Sequence, residues 1–167
     1  RRTVSYEPRT GKELWSVGYG DGFSNVPRPV AAHGLVYICT GFYQPELVAV
    51  KLDGTVAWRH GRAVPLTPSP LVVGDEIYMV SDNWIATCLD ARTGKEHWRQ
   101  RLGSNFAASP LYADGRIYFL SEEGETTVLA PGSQFRHLGV NRLEGTFLAS
   151  PAVSGGAIYL RSENHLY

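Results

Sequence analysis

The chain has 167 residues, and its 16 Lys and Arg balance 16 Asp and Glu, so no net field points to nucleic acid or an acidic membrane. Its 43% hydrophobic and 19% charged residues are the proportions of a globular domain. Two cysteines, Cys39 and Cys88, supply neither a disulfide framework nor a thiolate metal cluster, and no apolar run approaches the ~20 residues of a membrane span.

In chain order, "TVSYEPRTGKELW" (Thr3 to Trp15) reads as a strand, a Thr-Gly turn and a returning strand, the closing half of a unit over residues 1–18. The next unit, about 27–62, opens with "RPVAAHGLVYICTG", two strands joined at His33-Gly34, and closes with "LVAVKLDGTVAW", turned at Gly54. The unit at about 68–103 repeats that order most plainly. "PLVV" is its first strand, and Gly74-Asp75 is a two-residue hairpin turn, where Gly supplies the positive φ that primed turns need. In "EIYMVS", Ile77 and Met79 lie on one face and Tyr78 and Val80 on the other, so the strand is apolar on both sides and needs burial between two layers. "IATCLD" is the third strand, "ARTGK" the turn, and the more polar "EHWRQR" the outer edge. A further unit at about 108–139 carries "SPLYADGRIYFLSE" and "VLAPGSQFRH", and residues 149–167 hold only an opening half, "SPAVSGGAIYLRSE".

These units are copies. Pro29, Pro70, Pro110 and Pro151 step by 41, 40 and 41 residues, and Tyr37, Tyr78, Tyr118 and Tyr159 keep the same step. Gly11, Gly54 and Gly94 are each followed four residues later by Trp15, Trp58 and Trp98; after Gly132 that place falls on Arg136, beside Phe135. Gly or Pro interrupts every dozen residues, which excludes sustained helix. Four short antiparallel strands per ~40 residues predict an all-β protein, a β-propeller with four-stranded blades. The chain is expected to form one segment of about four blades, a half-ring or partial ring. In it Trp15, Trp58 and Trp98, with Gly11, Gly54 and Gly94, dock one blade on the next and send the indole N–H to a backbone acceptor. The half-units at the two ends are complementary. The expected outcomes are a half-ring joined by further blades of the same polypeptide, a homodimer completing an eight-bladed ring, or closure as a four-bladed ring.

"ATCLDARTGKEHW" (Ala86 to Trp98) and "VSYEPRTGKELW" resemble the tryptophan-docking motif of quinoprotein-type propellers, Ala-x-Asp-x-x-Thr-Gly-Lys-x-x-Trp, and "AVKLDGTVAW" is a shorter copy. The chain is identified by resemblance as the C-terminal half of a PQQ-like β-propeller repeat protein. The family implies two functions. Some members are dehydrogenases that hold pyrroloquinoline quinone and calcium at the axis. Others, among them an outer-membrane assembly lipoprotein, keep the blades and bind protein. The dehydrogenases' adjacent cysteines have no match in Cys39 and Cys88, and no residue here matches their calcium ligands or carboxylate base. The expectation is therefore a non-catalytic binding or scaffolding module without PQQ, calcium or other cofactor, in a periplasmic or extracytoplasmic setting. The alternative is part of a PQQ- and calcium-dependent dehydrogenase whose catalytic residues lie elsewhere. No signal peptide is visible, and a removed one would leave no trace.

Propeller sites sit on rim loops, here Gly18 to Arg28, Gly61 to Ser69, Gly103 to Ser109 and Glu144 to Ser150. Asp21, Asn25 and Arg28 in the longest loop, and Asn105 and Phe106 at the equivalent place, are the expected partner contacts. "DGFSN" lacks the acidic alternation of a calcium loop, and the five histidines have no ligand spacing. Ser69, Ser109 and Ser150, each before Pro, are expected to satisfy backbone, and "SEEGE" (Ser121 to Glu125) to be an acidic hairpin tip in solvent.

Overall fold

Left-handed residue pairs set the hairpins that organise the chain. His33-Gly34 (φ 55 and 73), Asp114-Gly115 (47 and 70) and Gly155-Gly156 (56 and 77) are positive at both places, whereas at Gly74-Asp75 only Gly74 is (φ 61). Such primed turns match the twist of the strands they join.

The computed structural model describes all of residues 1–167 and contains sixteen strands and no helix. Strands β1 (Arg2–Tyr6) and β2 (Glu13–Gly18) form a two-stranded sheet. Blade I is β3 (Val30–Ala32), β4 (Leu35–Cys39), β5 (Leu47–Lys51) and β6 (Val56–His60). Blade II is β7 (Leu71–Val73), β8 (Glu76–Val80), β9 (Ile85–Asp90) and β10 (Glu96–Arg101). Blade III is β11 (Leu111–Ala113), β12 (Arg116–Leu120), β13 (Glu125–Leu129) and β14 (His137–Arg142). Strands β15 (Ala152–Ser154) and β16 (Ala157–Tyr159) make a second two-stranded sheet. All pairing is antiparallel between sequence neighbours, the order of propeller blades. The two half-sheets do not pair with each other, so the chain does not close as a four-bladed ring.

The core lies between blades. Ile77 and Met79 pack with Tyr37, Cys39, Leu47 and Ala49 of blade I. Tyr78 and Val80, one residue out of phase on the same strand, pack with Ile117, Phe119 and Leu129 of blade III. Blade II thus buries both faces, each large side chain contributing about 1.5–3 kcal/mol. Cys39 and Cys88 are free, buried and in different clusters, and burial pushes both thiols up to about 12.

Three hydrogen-bond systems fix the seams. The Trp58 Nε1–H and the Tyr37 hydroxyl both donate to the Ala91 carbonyl in the turn of blade II, at 3.1 and 3.0 Å. Trp98 Nε1–H donates to the Gly132 carbonyl in blade III at 3.3 Å, and the Gly132 amide donates to the Tyr78 hydroxyl at 2.6 Å. The turn glycines of blades I and II lie under the preceding Trp: a Cβ on Gly54 would stand 2.7 Å from the Trp15 Cβ and one on Gly94 2.6 Å from the Trp58 ring, whereas one on Gly132 in blade III would meet nothing within 4 Å. Nearer the axis, the amides of Arg28, Ser69 and Ser109 donate to the hydroxyls of Ser69, Ser109 and Ser150, each at 2.9 Å, a belt from blade to blade.

Blade III corrects one expectation. Ala49 and Cys88 face Trp58 and Trp98 across the ladder, but Val128, their counterpart, faces Gly139 rather than Arg136. The longer "LAPGSQFRH" turn shifts the register, and Phe135 instead meets the Trp98 ring edge-on at 5.2 Å.

Candidate functional site

The rim of blade I departs most from the repeat. The hairpin between β4 and β5 occupies residues 40–46, whereas its counterparts occupy only 81–84 and 121–124. The insertion carries Phe42 and Tyr43. Phe42 joins Phe23, in the loop from β2 to β3, through a two-bond bridge: the Phe42 amide donates to the Phe23 carbonyl at 2.8 Å, and the Phe23 amide returns the bond at 3.3 Å.

The loops meet so closely that glycine is required where they cross. A Cβ on Gly22 would run into the Thr40 carbonyl, and one on Gly41 (φ 75) into the Phe23 carbonyl. Held this way, the Phe23 and Phe42 rings stack with centroids 6.0 Å apart, and both stay exposed. Val26, three residues after Phe23 on the same loop, is also exposed, and Tyr43 is 76% exposed at a left-handed φ of 87. An aromatic cluster presented to water on a pinned backbone has the composition of a protein-contact core. Below it, Arg59 donates to Glu46 at 2.6 Å and to the Gly18 carbonyl at 3.2 Å. These residues, with Tyr19, Gln44 and Pro45, wall an open pocket of about 500 Å³.

The expected contact residues divide. Asp21, Asn25 and Arg28 are exposed on the same loop as Phe23 and Val26. Asn25 Nδ2 donates to the Tyr19 hydroxyl at 3.0 Å, and Arg28 enters the serine belt through its amide. Asn105 lies between blades II and III, where its Oδ1 accepts the Trp84 Nε1–H at 2.7 Å. Phe106 is 1% exposed and packed in the core with Tyr78 and Phe119, so it anchors its loop from beneath. Sequence reasoning missed Phe23, Val26, Phe42 and Tyr43. The signal was the three extra residues between the Tyr37 strand and the next one. No three His, Cys, Asp or Glu side chains converge as a metal-binding group.

The chain resembles proteins of known identity in sequence and in fold. The family model described as "Outer membrane protein assembly factor BamB" matches residues 1–86 and 46–133. The factor of that name from Legionella pneumophila (strain Paris) is 27% identical over 169 residues, 95% of this chain and 43% of the relative. The serine/threonine-protein kinase AfsK of Streptomyces griseus is 33% identical over 129 residues, 70% of this chain but 16% of the kinase. Among solved structures, BamB from Moraxella catarrhalis superposes with a TM-score of 0.77 at 18% identity, over 98% of this chain and 53% of that one. A europium-containing methanol dehydrogenase superposes with a TM-score of 0.58 at 16% identity, over 70% of this chain and 24% of that one. The chain thus spans about half the length of the assembly factors it matches.

Proposed function

Because the chain belongs to the PQQ-like repeat family whose model is that of the outer membrane protein assembly factor BamB, we propose that it is part of a non-catalytic, extracytoplasmic propeller that binds another component of outer membrane protein assembly. The observation that carries this reading is the exposed Phe23–Phe42–Tyr43 cluster on a backbone pinned by two glycines. In this reading the aromatic rings are the anchors of the contact. Asp21, Asn25 and Arg28 form its polar border, and Asn105 belongs to a second rim position. The likeness to methanol dehydrogenase is one of fold and lends the chain no activity.

The half-sheets complete the proposal. Strands β15 and β16 have the phase of first and second strands, and β1 and β2 that of third and fourth. Further blades of the same kind, from the same polypeptide or a second copy, would join these edges into an eight-bladed ring. Solution mass separates the two sources: a dimer of the 167-residue chain supports a second copy, and a monomer supports blades of the same polypeptide.

The contact is tested by placing a photo-crosslinking amino acid at position 43 of the protein produced in cells. The expected result is an adduct with an outer membrane assembly component that is lost on Phe42→Ala. An equal yield from a probe at Lys51, away from the cluster, or no adduct from position 43, overturns the reading.

A further inference from the structure

Blades II and III differ at one hairpin. The amides of Trp84 and Gly124 hold equivalent places, donating to the Ser81 and Ser121 carbonyls at 3.2 and 3.1 Å. Gly124 has φ 80, as its position requires, but Trp84 takes φ 75 with a bulky side chain. Strain retained in one copy of a repeat that solves the same turn with glycine points to a use for the side chain.

The indole is fixed in place. Its N–H is held by Asn105 Oδ1 at 2.7 Å, and the Arg101 guanidinium lies 4.3 Å from the ring centroid. Asn105 also ties the two hairpins together, because its carbonyl accepts the Glu122 amide at 2.9 Å. Between them opens a pocket of about 380 Å³, walled by Trp84, Ser104 and Asn105 on one side and Glu123, Glu125 and Arg142 on the other. Arg101 does not line it. Both flanking blades are complete four-stranded sheets.

The charges decide the ligand. Arg142 is spent on Glu125, which it meets at 2.6 Å. Among the residues lining the pocket Glu123 alone is charged and unpaired: it is exposed, has neither an ion pair nor a side-chain hydrogen bond, and shares the pocket with the Trp84 ring, whose Arg101 neighbour stands outside it. An ammonium or guanidinium is attracted to both. We propose that the Trp84–Glu123 pocket receives a lysine or arginine side chain from an extended segment of a partner protein. The proposal rests on the reading of the rim as a protein-binding surface and supplies the chemistry of a second contact on it.

The test is a titration of the ¹⁵N-labelled 167-residue chain with a blocked pentapeptide bearing Lys and Arg, and with its Glu counterpart. The Trp84 indole signal is assigned from Trp84→Gly, the residue the next blade uses at that turn. The expected result is a saturable shift of that signal with the basic peptide alone, and affinity at least fivefold weaker in Glu123→Gln, whose exposed side chain carries no fold contact. No shift, an equal shift with the acidic peptide, or unchanged affinity in Glu123→Gln overturns the proposal. Loss of the position 43 adduct would leave this measurement untouched, and failure here would leave that adduct untouched, so the two readings fail separately.

Discussion

Gly94 of blade II lies beneath the indole of Trp58 in blade I: a Cβ added to Gly94 would stand 2.6 Å from the ring's Cδ2. The same glycine is left-handed, with φ 72. Gly94→Ala therefore meets two penalties, about 1 kcal/mol for the backbone and about 1–3 kcal/mol for forcing the ring away. In a Trp58→Ala background only the backbone penalty remains, so the substitutions are non-additive by about 1–3 kcal/mol. Urea denaturation of the four variants measures this coupling, and additive losses would show that the Trp-Gly contact does not hold the seam.

The serine belt makes a separate prediction. The Ser69 amide has the Ser109 hydroxyl as its partner at 2.9 Å. Ser109→Ala strands that amide between blades at a cost of about 1–2 kcal/mol, whereas an exposed serine gives almost nothing on the same change. Hydrogen exchange should accelerate at the Ser69 amide more than at Arg28 or Ser109, whose acceptors remain. Uniform acceleration would instead indicate general loosening.

The periodic features were legible because each is repeated. The Tyr step gave the strands, the Gly pairs gave the turns, and the alternation of Ile77 and Met79 with Tyr78 and Val80 gave two buried faces, which the structure divides between two clusters. What breaks the period was not legible. Phe42 and Tyr43 sit in an insertion whose partner, Phe23, is fixed only by a tertiary bridge. Phe106 reads as a loop residue, yet a loop leaving a blade edge drops one side chain into the interblade core. The Arg136 position was misaligned because a turn of different length changes register, which spacing alone does not reveal.

Tyr43 separates stability from binding. Its side chain is 76% exposed, so little packing is lost on removal, and its φ of 87 is one that glycine adopts freely. Tyr43→Gly should leave stability unchanged or raise it by up to about 1 kcal/mol while removing an anchor of the rim contact. Thermal unfolding beside partner crosslinking from a neighbouring position checks both halves. A drop in stability larger than about 1 kcal/mol would mean that the residue supports the loop rather than presenting itself to a partner.

His60 predicts how stability responds to mild acid. The ring, at the end of β6, has Nε2 2.9 Å from the Arg62 carbonyl and is partly buried. Burial lowers its pKa below the ordinary value, with Arg99 and Arg62 acting in the same direction, and the Arg62 carbonyl bond and Glu96 opposing them. The unfolded chain, with a histidine pKa of about 6.5, then takes up a proton before the folded one does. Between the folded pKa and ~6.5 the unfolded state binds more protons, so stability falls as the pH drops through that window and levels off below it. His60→Gln removes this proton-linked loss. The difference in stability between wild type and variant should shift against wild type as the pH is lowered from 7.5 to 5.5. Urea midpoints along that series measure the difference, which cancels groups common to both proteins. A shift in favour of wild type would mean that Glu96 and the Arg62 carbonyl outweigh burial, and that the folded ring holds its proton more tightly than the unfolded one.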